Sequence, residues 1–367
     1  MTDAVMGAQP SIFDVIERHS PIERINRLID RGLDVNETDE HDCTPLMRSI
    51  AAHRNDIVSV LLAQQDIQID AKDPDGQTAL HWAVHNHNEE AVKMLVNAGV
   101  NVNETDRCQQ TALILSIGHV DHDIARVLLA HRDIQLNAKD DMGRTALHWA
   151  VMIRNKRAVK MLLAKGADVN ATDGCHKTTL MLSIIHANHD IAQLLVTHRD
   201  ILVDKQDDSG CTALHWAVAW NDLKLVDMLI AHGADVNARN HSQMNALHVA
   251  CYAANPDLIV HSLVQADCDV NARDVDGETP LISLGRIRAN VDAMSTSGVL
   301  IRQAGLDRLD LNAQDKQGNT ALHWAERRNI TGFAKMLIES GAREYIKNRN
   351  GKTANQMRVG PRYRRVV

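Results

Sequence analysis

One six-residue phrase, Thr-Ala-Leu-His-Trp-Ala, returns four times along this chain at a nearly fixed spacing. It occupies Thr78 to Ala83, Thr145 to Ala150, Thr212 to Ala217 and Thr320 to Ala325. Self-similarity at a period of about 20–50 residues is typical of stacked units that bury their apolar faces against one another. The sequence therefore predicts a repeat architecture and not a globule with one central core.

The equivalent position can be followed through nearly the whole chain. It falls at Ser11, Thr44, Thr78, Thr111, Thr145, Thr178, Thr212, Asn245, Thr279, Thr320 and Thr353. A shorter and a longer spacing alternate regularly up to Thr279, and the next spacing, from Thr279 to Thr320, is the longest. Each unit reads as a polar turn, a short helix opened by Thr, a second helix and a tail.

These units resemble ankyrin repeats. The resemblance rests on Thr44-Pro45-Leu46, Thr279-Pro280-Leu281 and Asn245-Ala246-Leu247-His248, and it covers about residues 10 to 355. It implies an all-α solenoid of stacked helix-turn-helix units with β-turn or hairpin fingers between them. We expect a leader at residues 1–10, a capping unit at 11–43, nine units over 44–352, and a partial capping unit with a basic tail at 353–367.

The alternating spacing defines a super-repeat of two units, which runs from Thr78 to Thr145 and again from Thr145 to Thr212. One class carries His-Trp-Ala and closes its second helix with glycine, as at Gly99, Gly166 and Gly233. The other class carries an apolar segment such as Ile114-Leu115-Ser116-Ile117 and has no such glycine. Glycine reaches the left-handed conformation without a Cβ penalty, so the second class requires a different exit from its helix.

Composition restricts the class of protein further. The formal charge is −7, but residues 343–367 hold eight Lys or Arg against one Glu, a local net charge of +7. The six cysteines are dispersed without Cys-x-x-Cys pairs, which favours reduced thiols in the cytoplasm or nucleus. No apolar run reaches about 18 residues, so no membrane span is expected. The N-terminus has Asp3 near its start and no apolar core segment, so a signal peptide is not expected either.

The many histidines and tryptophans invite a catalytic or metal interpretation. His81, His148, His215, His248 and His323 each follow the helix-opening residue by three positions, where an imidazole can bond back to the cap. We therefore interpret them as structural. The Trp that follows four of them is interpreted as packing against the neighbouring repeat.

Two His-x-x-His pairs and one cysteine are the remaining chemical candidates. The pairs are His119 with His122 and His186 with His189, and each supplies at most two metal ligands. Cys175 lies beside His176, but adjacency in a turn is not triad geometry, and no glycine-rich phosphate loop is present. We expect no catalytic residues, no metal site and no cofactor.

The asparagines of the repeat tails have two interpretations. The resemblance implies that they could be substrates of asparaginyl hydroxylation, whereas hydrogen bonding from one finger to the next is the favoured primary role. These residues are Asn36, Asn103, Asn137, Asn170, Asn237, Asn271 and Asn312.

Function is then assigned to the surface positions that vary between otherwise regular repeats. The resemblance implies binding on a concave side made of the finger tips and the ends of the first helices. At those helix ends the middle of the chain is apolar and aromatic and the C-terminal part is basic. The predicted partner-binding residues are Met152, Ile153, Ile185, His186, Trp220, Tyr252, Arg286, Arg327 and Arg328. The first six form the expected hot spot, a patch about three repeats wide, with burial of Trp220 as the alternative.

The favoured function is a scaffold, expected to be monomeric, that binds a protein or peptide. Two alternatives stay open: a nuclear regulatory factor that uses the basic tail Arg358 to Arg365, and a small-molecule binder or enzyme with a pocket among the histidines and Trp220. Separately, the segment Arg286 to Gly298 carries about seven extra residues, and we expect them to form a surface loop.

Overall fold

The computed structural model describes residues 11–18, 21–253, 256–286 and 291–358. They contain twenty α-helices and one short 3-10 helix. The described residues also form two isolated β-bridges, Thr105 with Thr111 and Lys347 with Thr353. The prediction of an all-α ankyrin fold is confirmed. No helix among the described residues is long and apolar enough to cross a membrane.

The chain forms two compact units, Met1–Gly174 and Cys175–Val367. The helices of the first unit are α1 (Ile12–Glu17), α2 (Ile22–Asp30), α3 (Pro45–Ala51), α4 (Asn55–Leu62), α5 (Ala79–His85), α6 (Glu89–Asn97), α7 (Ala112–Gly118), α8 (His122–Ala130), α9 (Ala146–Met152) and α10 (Lys156–Ala164). Within this unit the odd-numbered first helices pack in order, and so do second helices α2 to α8.

The second unit repeats this arrangement. Its helices are α11 (Thr179–Ile185), α12 (His189–Val196), α13 (Ala213–Ala219), α14 (Leu223–Ala231), α15 (Ala246–Ala250), α16 (Asp257–Gln265), α17 (Pro280–Arg286), α18 (Val291–Ala304), α19 (Ala321–Arg327), α20 (Thr331–Glu339) and the 3-10 helix Ala354–Met357. First helices α11, α13, α15, α17 and α19 pack in order, as do the second helices α12 to α20. The core lies between these rows. Leu214 and Leu225, for example, are each 1% exposed.

We call the turn that precedes a first helix the finger, and in the described repeats from α3 onward an aspartate or asparagine typically fixes it. Asp73 Oδ1 accepts hydrogen bonds from the backbone N–H groups of Asp75, at 2.9 Å, and Gln77, at 2.8 Å. Neighbouring fingers approach closely: a Cβ added at Gly143, whose φ is +73°, would lie 2.6 Å from the backbone nitrogen of Gly174. Glycine is needed there for both its conformation and its lack of a side chain.

The extra residues in the irregular repeat lengthen a helix, so the prediction of a surface loop is wrong for residues 291–298. Helix α18 has 14 residues, whereas the other second helices have eight or nine. The hydroxyls of Ser295 and Thr296 donate to the carboxylate of Asp257 on α16, and Ser297 is fully buried. This anchoring to the preceding second helix stabilises the added turns. Residues 287–290 lie outside the described part of the chain.

Candidate functional site

The starts of the first helices hold the histidines in a capping arrangement. The backbone N–H of Thr78 donates to Nδ1 of His81 at 3.1 Å, and the hydroxyl of Thr78 lies 2.8 Å from the same nitrogen. Asn245 and His248 form the equivalent pair in a later repeat. The structural interpretation of these histidines is therefore confirmed by their contacts.

In the repeats that carry a capping histidine, the second imidazole nitrogen reaches the following repeat. Nε2 of His81 lies 3.1 Å from the carbonyl oxygen of Gln110, and Nε2 of His215 lies 3.1 Å from that of Met244. Because Nδ1 accepts a backbone N–H, Nε2 carries the proton and donates. Burial lowers the pKa of both histidines, since it disfavours the charged imidazolium. Both nitrogens are used, so neither ring is available as a base or as a metal ligand.

The repeated tryptophan has a polar contact that the sequence did not indicate. Nε1 of Trp216 donates to Oδ2 of Asp207 at 2.9 Å, and the same bond joins Trp82 to Asp73 at 2.8 Å and Trp324 to Asp315 at 2.8 Å. The aspartate lies nine residues earlier, in the finger. Trp216 and Trp82 are half-buried rather than core residues. The tryptophan therefore fixes the finger onto its own first helix in addition to packing.

A cation lies over each of these indole rings. The guanidinium carbon of Arg144 is 4.4 Å from the ring centroid of Trp149, and that of Arg327 is 5.0 Å from the centroid of Trp324. Arg48 and Lys177 lie farther from the rings of Trp82 and Trp216, at 5.9 and 5.8 Å. Such contacts are worth about 0.5–1 kcal/mol at exposed sites.

The His-x-x-His pairs lie at the junctions between first and second helices. His122 Nε2 lies 3.0 Å from Oδ1 of Asn155, and His189 pairs with Asp222, both at starts of second helices one repeat later. The ring of His119 instead lies 5.0 Å, centroid to centroid, from that of His85. Among the described residues no group of three or more His, Cys, Asp or Glu side chains is arranged to hold a metal ion.

Cys175 and His176 do not form a catalytic arrangement. His176 Nδ1 lies 2.6 Å from Oδ1 of Asp208 in the following finger, which makes an exposed ion pair when the imidazole is protonated. Cys175 itself is exposed, and its pair with His176 remains two neighbours in a turn. What this geometry provides is a contact between two fingers.

The tail asparagines join consecutive repeats, as the favoured interpretation held. Asn103 Nδ2 donates to the carbonyl oxygen of Asp133 at 2.8 Å, and its Oδ1 accepts the N–H of Gln135 at 2.8 Å. Asn271 makes the same two bonds, to Arg308 and from Asp310. Hydroxylation of these residues stays a prediction of the resemblance.

The ends of two first helices in the second unit carry exposed aromatic side chains. Trp220 directly follows α13 and is 56% exposed, and Tyr252 follows the shorter α15 in a turn and is 50% exposed. Ile185 and His186, at the end of α11, are half-buried. The alternative in which Trp220 is mostly buried is therefore excluded, while its role in binding stays a prediction.

Arg286 connects this aromatic pair to a buried carboxylate. Its NH2 group donates to the hydroxyl of Tyr252 at 3.2 Å, and its Nε lies 3.0 Å from Oε2 of Glu278. Burial raises the pKa of Glu278 to about 7, although the guanidinium of Arg286 acts in the opposite direction. Arg286 is thus already paired and holds Tyr252 in place more than it offers a free charge.

The other predicted residues are divided between the two units. Arg327 and Arg328, at the end of α19, are exposed, and Arg327 covers the ring of Trp324. Met152 and Ile153 are half-buried at the end of α9, in the first unit. They belong to a separate compact unit, so the single patch about three repeats wide stays a prediction.

The sequence interpretation missed three finger cations in the last repeats. Lys316, Arg349 and Lys352 are exposed. They occupy the positions four and one residues before Thr320 or Thr353, where the family pattern places binding residues. The same positional rule that selected residues in the middle fingers also points to these three.

Comparisons with known proteins agree with this geometry. Family models described as ankyrin repeats match residues 13–106, 98–173, 171–240, 229–282 and 317–349. Similar proteins include the nuclear factor NF-kappa-B p105 subunit of Gallus gallus, at 34% identity over 184 residues, which are 47% of this chain and 19% of that protein. The B-cell lymphoma 3 protein homolog of Mus musculus is 30% identical over 264 residues, 70% of this chain and 51% of the relative.

Human inversin is 31% identical over 189 residues, 51% of this chain and 17% of inversin. The matches thus span about half or less of the length of these relatives. The family models cover most of the chain, namely residues 13–282 and 317–349. The capping bonds, stacked helix pairs and matched models together show that this chain belongs to the ankyrin-repeat proteins.

Proposed function

We propose that this chain is an interaction scaffold that binds another protein or a peptide through the helix ends and finger tips of its second unit. The observation that carries the proposal is the exposure of Trp220 and Tyr252 on consecutive repeats. Exposed aromatic patches are uncommon on monomers, and Trp and Tyr are enriched among residues that dominate binding energy.

The order of packing supports a continuous surface within this unit. Helix α11 packs on α13, α13 on α15, α15 on α17, and α17 on α19. The residues at their ends therefore follow one another in space at roughly 10 Å per step. We define the helix-end surface as Ile185, His186, Trp220, Tyr252, Arg286, Arg327 and Arg328. On the ankyrin resemblance it belongs to the concave side, and Met152 and Ile153 remain predicted contacts in the first unit.

The two alternative functions have weaker support. Most of the basic tail, residues 359–367, lies outside the described part of the chain, so a nuclear role that depends on it has no structural argument. A pocket for a small molecule among the histidines is opposed by the capping bonds, since both nitrogens of His215 are already used. We propose a cytoplasmic or nuclear location, which the reduced thiols and the name of the p105 relative support.

Affinity capture with matched variants tests the proposal. The intact chain and its Trp220→Ala, Tyr252→Ala and Leu258→Ala variants are used as baits, and the captured proteins are compared by mass spectrometry. Leu258 is a suitable control because it is 65% exposed but lies on second helix α16. We expect Trp220→Ala and Tyr252→Ala each to weaken binding of the captured partner by at least about 2 kcal/mol. Partners retained equally by all four baits would contradict this surface.

A further inference from the structure

Five exposed cations at the finger tips and helix ends of the last repeats have no carboxylate within salt-bridge distance among the described residues. We call them the basic cluster: Lys316, Arg327, Arg328, Arg349 and Lys352. Some other arginines of the same unit are paired, such as Arg308 with Asp267 at 3.4 Å and Arg358 with Glu326 at 3.8 Å. The basic cluster is therefore a local excess of positive charge in a chain whose net charge is −7.

The nearby acidic oxygens are already occupied. Asp315 Oδ1 accepts two backbone N–H groups at 2.8 Å, and its Oδ2 accepts the indole N–H of Trp324. Glu278 is held by Arg286. Asp276 is the exposed exception at the edge of this region. None of these acids forms a salt bridge with the cluster, and its five cations outnumber Asp276 and Asp315, so positive charge remains in excess there.

Contacts join the basic cluster to Tyr252 of the aromatic pair. Lys316, Arg286 and Trp324 line one pocket of about 110 Å³, and Arg327 lies over the ring of Trp324. The other lining residues are Gln317 and the acids Asp276, Glu278 and Asp315. The next finger lies directly beside the finger of Lys316, because the backbone N–H of Arg349 donates to the carbonyl oxygen of Gln317 at 3.0 Å. On the other side of the pocket, Arg286 donates to the hydroxyl of Tyr252.

We infer that the occupant of the helix-end surface is an acidic peptide with an apolar anchor. Its aliphatic or aromatic side chain packs against Trp220 and Tyr252, and its carboxylates lie along the basic cluster. The inference rests on the proposed function and adds the chemistry of the partner. Three repeat steps separate Trp220 from Arg328, a span of roughly 30 Å, which an extended segment of about 10 residues covers.

The net charge argues against nucleic acid as the occupant. A polyanion takes its affinity from many cations, whereas here five cations adjoin buried Glu278 and exposed Asp276 on a negatively charged chain. A peptide with an apolar anchor and a few carboxylates matches both the aromatic pair and the basic cluster. Nucleic acid is therefore an outcome that the test must be able to detect.

Peptide selection on the intact chain tests the inference. A random library of 12-residue peptides is displayed on phage and selected on the intact protein alone, and the enriched peptides are then compared for binding to the intact protein and to its Trp220→Ala variant. Enriched sequences are synthesised with a fluorescent label, and their binding is measured by anisotropy. We expect an apolar residue together with two or more Asp or Glu. Replacing those acids by Asn or Gln should weaken binding to the unmodified protein at least tenfold, a comparison that needs no protein variant.

Charge reversal on the protein gives the matching result. Arg327→Glu with Arg328→Glu should weaken binding at least tenfold, whereas Arg157→Glu with Lys160→Glu, exposed on α10 of the first unit, should change it less than twofold. Raising the salt from low to high should also weaken binding, since exposed charges are screened. Circular dichroism of each variant confirms that it is folded.

The failures of the two proposals differ. Peptides that depend on Trp220 but show no acidic preference would overturn this inference and leave the proposed function standing. Acidic peptides that bind equally well to Trp220→Ala would overturn the combined surface. Failure to select any peptide would exclude a short acidic segment as the occupant. Tight binding of a 20-nucleotide single-stranded DNA that is lost in the charge-reversal variant would replace it with nucleic acid.

Discussion

At their starts the first helices of the His-Trp repeats are nearly copies of one another, whereas at their ends they differ from repeat to repeat. Each start buries a leucine and a histidine and fixes the finger through a tryptophan, as in Leu214, His215 and Trp216. The same helix is capped at its end by Trp220, which is 56% exposed, and no other repeat has a tryptophan at that position. The starts therefore account for stability, and the proposed recognition surface lies at the ends, about one and a half helical turns away.

The largest effect is expected at the buried leucine. Leu214→Ala removes a side chain that is 1% exposed, and it should lower the free energy of unfolding by about 2–5 kcal/mol. Urea denaturation followed by circular dichroism measures the change. A variant that unfolds like the unmodified protein would show that the helix start is not part of the core.

The capping histidine should have the next largest effect. His215→Ala leaves the N–H of Thr212 and the carbonyl of Met244 without their partner, which should cost about 1–3 kcal/mol. The same urea titration measures it. A variant whose urea midpoint matches that of the unmodified protein would mean that water replaces the capping bonds without loss.

The same histidines make stability depend on pH. Burial lowers the pKa of His81, His215, His248 and His323, so the unfolded chain, with a histidine pKa of about 6.5, binds protons more readily than the folded one. Their contribution is complete above about pH 6.5 and is lost as the pH falls through the lower folded values. The urea midpoint of the unmodified protein should therefore decrease from pH 7.5 to 5.5. The decrease should be smaller in the His215→Ala variant. An equal decrease in both proteins would contradict this origin.

A smaller effect is expected at the indole hydrogen bond. Trp216→Phe keeps an aromatic ring and removes the N–H that donates to Asp207, which should cost about 1 kcal/mol, or up to about 3 if the carboxylate is left without a partner. Amide hydrogen exchange should show faster opening of the finger at residues 207–211. Unchanged exchange there would show that the two finger N–H bonds to Asp207 suffice.

The smallest change in stability is expected at the helix ends. Trp220→Ala should alter the free energy of unfolding by less than about 0.5 kcal/mol, since exposed substitutions away from packed or bonded groups have little effect. Thermal melting of the Trp220→Ala and Leu214→Ala variants compares the end and the start of one first helix within a single repeat. A loss of stability similar to that of Leu214→Ala would return Trp220 to the core.

Much of the fold could be predicted because it is specified locally and repeated. The spacing of Thr78, Thr145 and Thr212 gave the period, and a histidine three residues after a helix cap has few other uses. The bond between Trp216 and Asp207 was missed because a nine-residue separation follows neither a helical nor a strand period. The extension of α18 was missed because its anchor, Asp257, is supplied by another helix.

The candidate site was only partly accessible from the sequence. Position within the repeat placed Trp220 and Tyr252 at helix ends. Whether the Trp220 side chain is exposed or buried depends on the neighbouring helices, so the sequence left both outcomes open. The charge of Arg286 was counted as available to a partner, although the structure pairs it with Glu278 and Tyr252. The sequence thus indicated where the proposed helix-end surface lies, and only the contacts in the structure show which of its charges are paired.

The bond from each capping histidine into the following repeat has a consequence for how the stack comes apart. His215 holds the finger of the repeat after it, so fraying from that side must break this bond before the helix start is exposed. The apolar class has Ile114 or Met181 at the same position, and those residues cannot form it. Junctions that have the histidine bond therefore alternate with junctions that lack it, wherever the two classes of repeat alternate. Under load or mild denaturant we expect such a stack to yield in pairs of repeats, so that the two-unit period of the sequence becomes the step size of its unfolding.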